Sequence, residues 1–191
     1  MPVPLYTQTV IALVWDFDRT LIPGTMQDPI FERYDVDSAV FWAEVDGLVD
    51  YYQRQGIRIQ RDIAYLGHLL TYVREGVFDG LTNERLFELG ADLVPAPGMP
   101  DFLAESRQRV KDVPEFAAEG IVVEHYIVST GILPMIEGSV FADHVDGVWA
   151  NTLIENPAPA GDLDQLPVAD APAPVSHLGY TIDNTAKTRA L

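Results

Sequence analysis

Residues 14–21 read Val-Trp-Asp-Phe-Asp-Arg-Thr-Leu, and they continue an apolar run that starts at Val10. A short apolar run that stops at charged residues predicts a buried β-strand. Asp16 and Asp18 then lie at the carboxyl end of this strand, where open α/β sheets place their ligand sites. Because neighbouring carboxylates repel each other, a cation or a shared proton usually accompanies such a pair. The spacing alone is equally typical of a strand followed by a turn whose Asp and Thr side chains bind loop backbone groups.

The composition limits the classes of protein to which this chain can belong. Its 191 residues predict one large domain, or a core domain with a smaller insert, and its 48% hydrophobic content predicts an ordered core. The net charge of −17 argues against a surface that binds nucleic acid or an anionic membrane. The lack of cysteine excludes disulfides, thiolate nucleophiles and cysteine-bound zinc. The first apolar run has no basic flank and ends in charge, so we expect no signal peptide, no membrane span and a cytoplasmic protein.

Helical periodicity extends from about residue 37 to residue 119. Apolar residues recur at helix-compatible spacing in residues 40–49 and again in residues 63–73. Thr82 is a suitable N-cap for a further helix, and one more helix is predicted before Pro114. A turn-rich segment separates this region from the first strand, at residues 21–28.

A second strand is predicted after the helical region. Residues 121–128 are rich in β-branched and aromatic side chains, and this run halts at Ser129-Thr130-Gly131. The remaining patterns predict the start of a helix with Pro134 in its first turn, a short strand or hairpin arm, and a proline-rich loop, at residues 132–136, 145–153 and 157–174.

The order of these features resembles the haloacid dehalogenase-like (HAD) superfamily of phosphatases. Its first motif is Asp-x-Asp-x-Thr after a strand, which residues 16–20 match, and its second is a Ser or Thr that ends a hydrophobic strand, which Ser129 matches. Its third motif is a Lys near a helix start, and Lys187 is the only lysine after Ser129. The long interval between the first two motifs leaves room for the helical cap of phosphoserine phosphatase-like members, and residues 150–151 also resemble that subgroup.

This resemblance implies an α/β fold with a Rossmann-like parallel sheet. It assigns residues 1–24 and 121–191 to a discontinuous HAD-like core. Residues 25–120, which we call the predicted cap, form an inserted α-helical segment.

The resemblance also implies Mg²⁺-dependent hydrolysis of a small-molecule phosphate ester through an aspartyl-phosphate. Asp16 is then the nucleophile and Asp18 the general acid and base. Both residues would bind Mg²⁺, Asp18 through its backbone carbonyl. The phosphoryl oxygens would be held, and their charge offset, by Thr20, Ser129, Thr130, Gly131 and Lys187, with the Thr130 and Gly131 amides at a helix N-terminus.

The residues downstream of the acidic pair also have purely structural interpretations. Ser129-Thr130-Gly131 is typical of an ordinary turn between a strand and a helix, and the Thr20 hydroxyl of a stabilised turn. Lys187 is equally typical of a solvated surface lysine.

The family's fourth motif, an acidic pair after a later strand, is absent from this chain, which has four residues after Lys187. In the family this motif supplies a second carboxylate ligand for the metal, and its strand pairs with the first strand. We therefore expect a core that is incomplete at its C-terminal side and a first strand with an unpaired apolar edge. Our hypothesis is that a missing C-terminal segment, or a second copy in a homo-oligomer, covers this edge.

These observations favour a truncated phosphomonoester hydrolase. The alternative is a catalytically silent binding or interaction module of the same fold, which the absent fourth motif favours. A third hypothesis, an unrelated acidic cation-binding protein, gives Ser129 and Lys187 no role.

Overall fold

The computed structural model of the chain describes residues 9–161 and 171–184. Three strands form a parallel sheet in the order β1-β2-β3, with bounds β1 Val10–Trp15, β2 Val122–Ile132 and β3 Gly147–Asn151. Two short strands pair antiparallel as a second sheet, β4 Leu153–Ile154 and β5 His177–Leu178. The parallel sheet and its helices confirm the predicted α/β, Rossmann-like class.

Helices fill the interval between β1 and β2, as the periodicity predicts. Their bounds are α1 Asp28–Tyr34, α2 Ser38–Gln53, α3 Ala64–Arg74, α4 Asn83–Gly90, α5 Asp101–Lys111 and α6 Pro114–Ala118, and α7 Leu133–Glu137 follows β2. The prediction that Thr82 is the N-cap of a helix is confirmed, since its hydroxyl accepts the Arg85 N–H at the start of α4, at 3.0 Å. Among the described residues, no helix is both long and apolar enough to cross a membrane.

Helix α1 is a feature that the sequence interpretation missed. The segment before it is a turn, as predicted, and the Asp28 carboxylate accepts the Thr25 N–H at 3.0 Å. Pro29 then lies in the first helical turn, where its missing N–H costs no hydrogen bond. The helix buries Ile30 and Phe31, which is why seven residues suffice to form it.

The apolar core extends from the sheet into the helical region. Phe17, just after β1, packs edge-to-face on Phe141 with ring centroids 5.6 Å apart. In the helical region, the rings of Phe31 and Phe41 lie 4.9 Å apart. Helix α5 belongs to the predicted cap in sequence but packs on β2, and the division into cap and core stays a prediction.

Strand β1 lies at an edge of the described sheet. Within residues 9–161 and 171–184 it pairs only with β2. Val10, Ile11 and Val14 are each more than 40% exposed, unlike the side chains of a strand covered on both faces. An apolar edge of this kind is what the sequence predicts, and the element expected to cover it stays a prediction.

A buried histidine joins β1, β2 and α5. The Trp15 indole N–H donates to Nδ1 of His125 at 3.1 Å. Because an indole only donates, Nδ1 must be the acceptor and Nε2 carries the proton, 3.1 Å from the Leu103 carbonyl and 2.9 Å from the Ser106 hydroxyl. Burial, and secondarily the charge of Arg107, lower the pKa of His125. The folded protein therefore holds this imidazole neutral.

Acidification should destabilise the fold through His125. Its pKa is lower in the folded state than in the unfolded chain, so below about pH 6.5 the unfolded state takes up a proton that the folded state does not. Between pH 7.5 and 5.0, His125→Gln should therefore lose less unfolding free energy than the wild type. Urea unfolding at both pH values measures this, with the exposed His177→Gln as control. Equal losses in the wild type and His125→Gln would contradict it.

Candidate active site

The acidic pair and the Ser-Thr-Gly segment lie at the same end of the parallel sheet, where β1 ends. In the parallel ladder Trp15 is opposite Ile127, so the residues after Trp15 lie beside the residues of β2 that follow Ile127. Regular pairing of β2 with β3 stops at Val128 and resumes only at Ile132. Residues 129–131 form the irregular stretch between, and irregularities of this kind are common next to active sites.

The turn after β1 holds the two carboxylates on either side of a buried side chain. Phe17 is fully buried, and its carbonyl accepts the N–H groups of Thr20 at 3.2 Å and Leu21 at 2.9 Å. Arg19 has φ of +58°, a left-handed conformation that is uncommon outside glycine. Asp16 is exposed and accepts the Phe17 N–H at 3.0 Å. The Asp16 carboxylate is therefore accessible at the strand end.

Met26 joins Asp18 to the 129–131 segment. The half-buried Asp18 carboxylate accepts the Met26 N–H at 2.8 Å. The Met26 sulfur in turn lies 3.0 Å from the Ile132 N–H. A Cβ atom on Gly131 would overlap the Met26 thioether, so only glycine fits there without displacing that side chain. The contact places Asp18 close to the second strand's end.

The 129–131 segment is buried and closely bonded. Ser129 is 1% exposed, and its hydroxyl oxygen accepts the Gly131 N–H at 2.9 Å. The Asn151 side chain, at the end of β3, donates to the carbonyls of Thr130 at 2.6 Å and Gly131 at 3.0 Å. Its own oxygen accepts the Ile182 N–H at 2.6 Å. Asn151 thus holds the segment against the rest of the core.

One structural detail of the sequence prediction is wrong. The segment was expected to lie at a helix N-terminus, but β2 continues to Ile132 and α7 begins at Leu133. Bonding to β3 through Ile132 extends the strand beyond the polar residues. The Thr130 and Gly131 amides therefore precede the helix, and the Gly131 amide already has Ser129 as its acceptor.

A tyrosine from helix α3 reaches this segment. The Tyr65 side chain is buried, and its hydroxyl donates to the Thr130 carbonyl at 2.8 Å. Burial raises the pKa of Tyr65, and the negative charge of Asp18 raises it further. Tyr65 is therefore a neutral hydrogen-bond donor that lies near Asp18.

The structure brings together most of the predicted site residues. Asp16, Asp18 and the 129–131 segment share one edge of the sheet, and Thr20 is exposed in the turn beside them. Lys187 lies outside the described residues. The sequence interpretation missed Tyr65, whose pattern carries no signal, and it noted Asn151 only for its resemblance. A polar residue at the end of a third parallel strand is the signal that identifies Asn151.

Comparison of the sequence with known proteins finds a similar protein but no matching family model. No family model matches the chain. An uncharacterized protein of Borreliella burgdorferi is 39% identical over 186 residues, which cover 96% of this chain and 64% of that protein. The chain therefore spans slightly less than two thirds of that relative's length.

Two solved structures have a similar fold. A HAD-family hydrolase from Salmonella enterica serovar Typhi superposes with a TM-score of 0.55 and 15% identity, covering 95% of this chain and 49% of that one. A phosphoserine phosphatase, solved as a phospho-aspartyl intermediate analogue, gives 0.51 and 15%, covering 90% of this chain and 63% of that one. This chain accordingly has a fold similar to that of these two proteins.

Proposed function

We propose that this chain is a Mg²⁺-dependent phosphomonoester hydrolase that works through an aspartyl-phosphate on Asp16. The observation that carries the proposal is the pair of carboxylates, one exposed and one anchored, beside the buried Ser129 at one edge of the sheet. The likeness to a phosphatase solved as a phospho-aspartyl intermediate analogue supports it.

The different environments of the two carboxylates match two roles. Asp16 is exposed, so its oxygen attacks phosphorus and forms an acyl phosphate while the alcohol leaves. Asp18 is half-buried and oriented by the Met26 N–H, so it gives a proton to the leaving oxygen. Asp18 then takes a proton from the water that hydrolyses the acyl phosphate, and this step releases phosphate and restores Asp16.

The surroundings must offset the negative charge of the phosphoryl group. The Ser129 hydroxyl accepts from Gly131 and so has its proton available for a phosphoryl oxygen. Thr20 lies in the adjoining turn and supplies a second hydroxyl. Lys187 would add a fixed positive charge. Together these groups would lower the activation barrier for attack of the Asp16 carboxylate on the negatively charged phosphate ester.

The oxygen donors of Asp16 and Asp18 fit a magnesium ion. Mg²⁺ commonly binds through one or two carboxylates, keeps several waters and takes substrate phosphate oxygens. Asp16 and the Asp18 backbone carbonyl would hold it, since both are hard oxygen donors. When bound, Mg²⁺ would neutralise part of the phosphoryl charge. In the described part of the chain no larger group of Asp, Glu, His or Cys is arranged for a metal.

The edge of β1 that no other described strand pairs with supports a further part of the proposal. A strand from a longer form of the protein, or from a second copy, would cover this apolar edge and bring a further acidic ligand near Asp16. The exposure of Val10, Ile11 and Val14 and the greater length of the Borreliella burgdorferi relative both favour such an element.

Release of phosphate from a generic aryl phosphate tests the proposed function. With Mg²⁺ present we expect turnover, and chelation with EDTA should lower the rate by more than about 100-fold, because the metal offsets charge in the transition state. Added Mg²⁺ should restore the rate. Ca²⁺ should not, because its larger coordination sphere fits the same donors poorly. Colorimetric phosphate detection measures all three conditions.

Two results would contradict the proposal. Turnover that is insensitive to EDTA would exclude the metal's role. If neither this chain nor a longer form of the protein releases phosphate, the catalytically silent module of the same fold is favoured instead.

A further inference from the structure

The Tyr65 hydroxyl connects α3 to the 129–131 segment. Its single proton is donated to the Thr130 carbonyl at 2.8 Å. The Tyr65 side chain is buried, so little water competes for this bond.

The contact at Thr130 extends to Ser129 through one rigid peptide unit. The Thr130 carbonyl and the Gly131 N–H belong to the same planar peptide group, so fixing one fixes the other. Tyr65 and Asn151 hold the carbonyl on one side of this plane. The Gly131 N–H on the other side donates to the Ser129 hydroxyl at 2.9 Å. The direction of the Ser129 hydroxyl thus depends on the Tyr65 contact.

We propose that Tyr65 is a positioning residue that orients the Ser129 hydroxyl toward the phosphoryl group through the Thr130–Gly131 peptide. The inference rests on the proposed function. Tyr65 belongs to α3 in the predicted cap, whereas Ser129 lies in β2 of the sheet. The hydrogen bond from Tyr65 to Thr130 therefore exists only while α3 lies against the 129–131 segment. The phosphate-binding geometry is thereby tied to the placement of α3.

Tyr65→Phe tests this proposal because it removes only the hydroxyl. We expect the inhibition constant of inorganic phosphate to rise by roughly three- to tenfold, and kcat/KM for the aryl phosphate to fall by a similar factor, as for one lost hydrogen bond. An inhibition constant does not depend on the fraction of active protein, so lost stability alone would not change it.

Tyr72→Phe is the matched control. Tyr72 lies on the same helix, and its hydroxyl donates to Glu44 at 2.6 Å, in an exposed position. This variant should leave both kinetic constants unchanged. If Tyr65→Phe also leaves them unchanged while the wild type hydrolyses the ester, the inference is wrong and the proposed function stands.

Hydrogen exchange separates this inference from the proposed function. In the absence of substrate, the Gly131 amide should exchange at least about threefold faster in Tyr65→Phe than in the wild type, whereas core amides of β1 should be unchanged. If the wild type has no phosphatase activity, the proposed function fails and the exchange result alone decides. Faster exchange confined to residues 129–132 then supports the positioning link, and unchanged exchange overturns it.

Discussion

Replacing Asp16 with asparagine is expected to lower the rate of phosphate release by at least about 1,000-fold. The amide is nearly isosteric with the carboxylate, but it is not a nucleophile and cannot form the acyl phosphate. It is also a weaker ligand for a hard cation. Because Asp16 is exposed and accepts the N–H of the adjacent Phe17, the amide oxygen can keep that bond. Steady-state phosphate release in Mg²⁺ measures the loss.

The control for Asp16→Asn is Asp143→Asn. Asp143 is also exposed, but it lies in the short helical turn Ala142–His144 after α7 and has no part in the proposed chemistry. Its variant should keep the wild-type rate, and both variants should unfold within about 0.5 kcal/mol of the wild type. An Asp16→Asn protein that is folded and retains a tenth of the activity would show that another group is the nucleophile.

The parts of the fold that the sequence predicts well are those set by local patterns. Strand β1 is found because its apolar run ends at charged residues, and α4 because Thr82 caps it. Helix α1 is missed because the turn residues before it and Pro29 within it suggest a loop. Its formation depends on burying Ile30 and Phe31 against distant elements, which no local pattern reveals.

The same distinction applies to the candidate site. Asp16, Asp18 and Ser129 are predicted because polar residues follow two hydrophobic runs, and parallel pairing of the two runs brings these residues together. Tyr65 looks like any core aromatic residue on a helix. Its link to the candidate site is a hydrogen bond to Thr130 across 65 positions of sequence. Such a tertiary contact cannot be deduced from residue type or spacing.

The crossing of α4 and α7 should be very sensitive to added volume. A Cβ atom on Gly138 would lie 2.7 Å from the Phe87 carbonyl carbon and would overlap the carbonyl oxygen. Gly90, on the other helix, would meet the backbone of Met135 and Gly138 in the same way. The neighbours are backbone atoms, which cannot rotate away as a side chain can. The two helices are therefore able to pack only because both positions are glycine.

Gly138→Ala is accordingly expected to lower the unfolding free energy by about 3 kcal/mol or more, the upper range for overpacking. Its φ of −80° is normal for alanine, so the loss would come from the clash and not from backbone strain. The midpoint of thermal unfolding should fall by roughly 6–12 °C. Gly47→Ala in α2, where a Cβ meets nothing within 4 Å, should instead stabilise the protein by about 0.5–1 kcal/mol. Opposite shifts would attribute the effect to helix packing, whereas equal shifts would show that α4 and α7 lie farther apart than this contact requires.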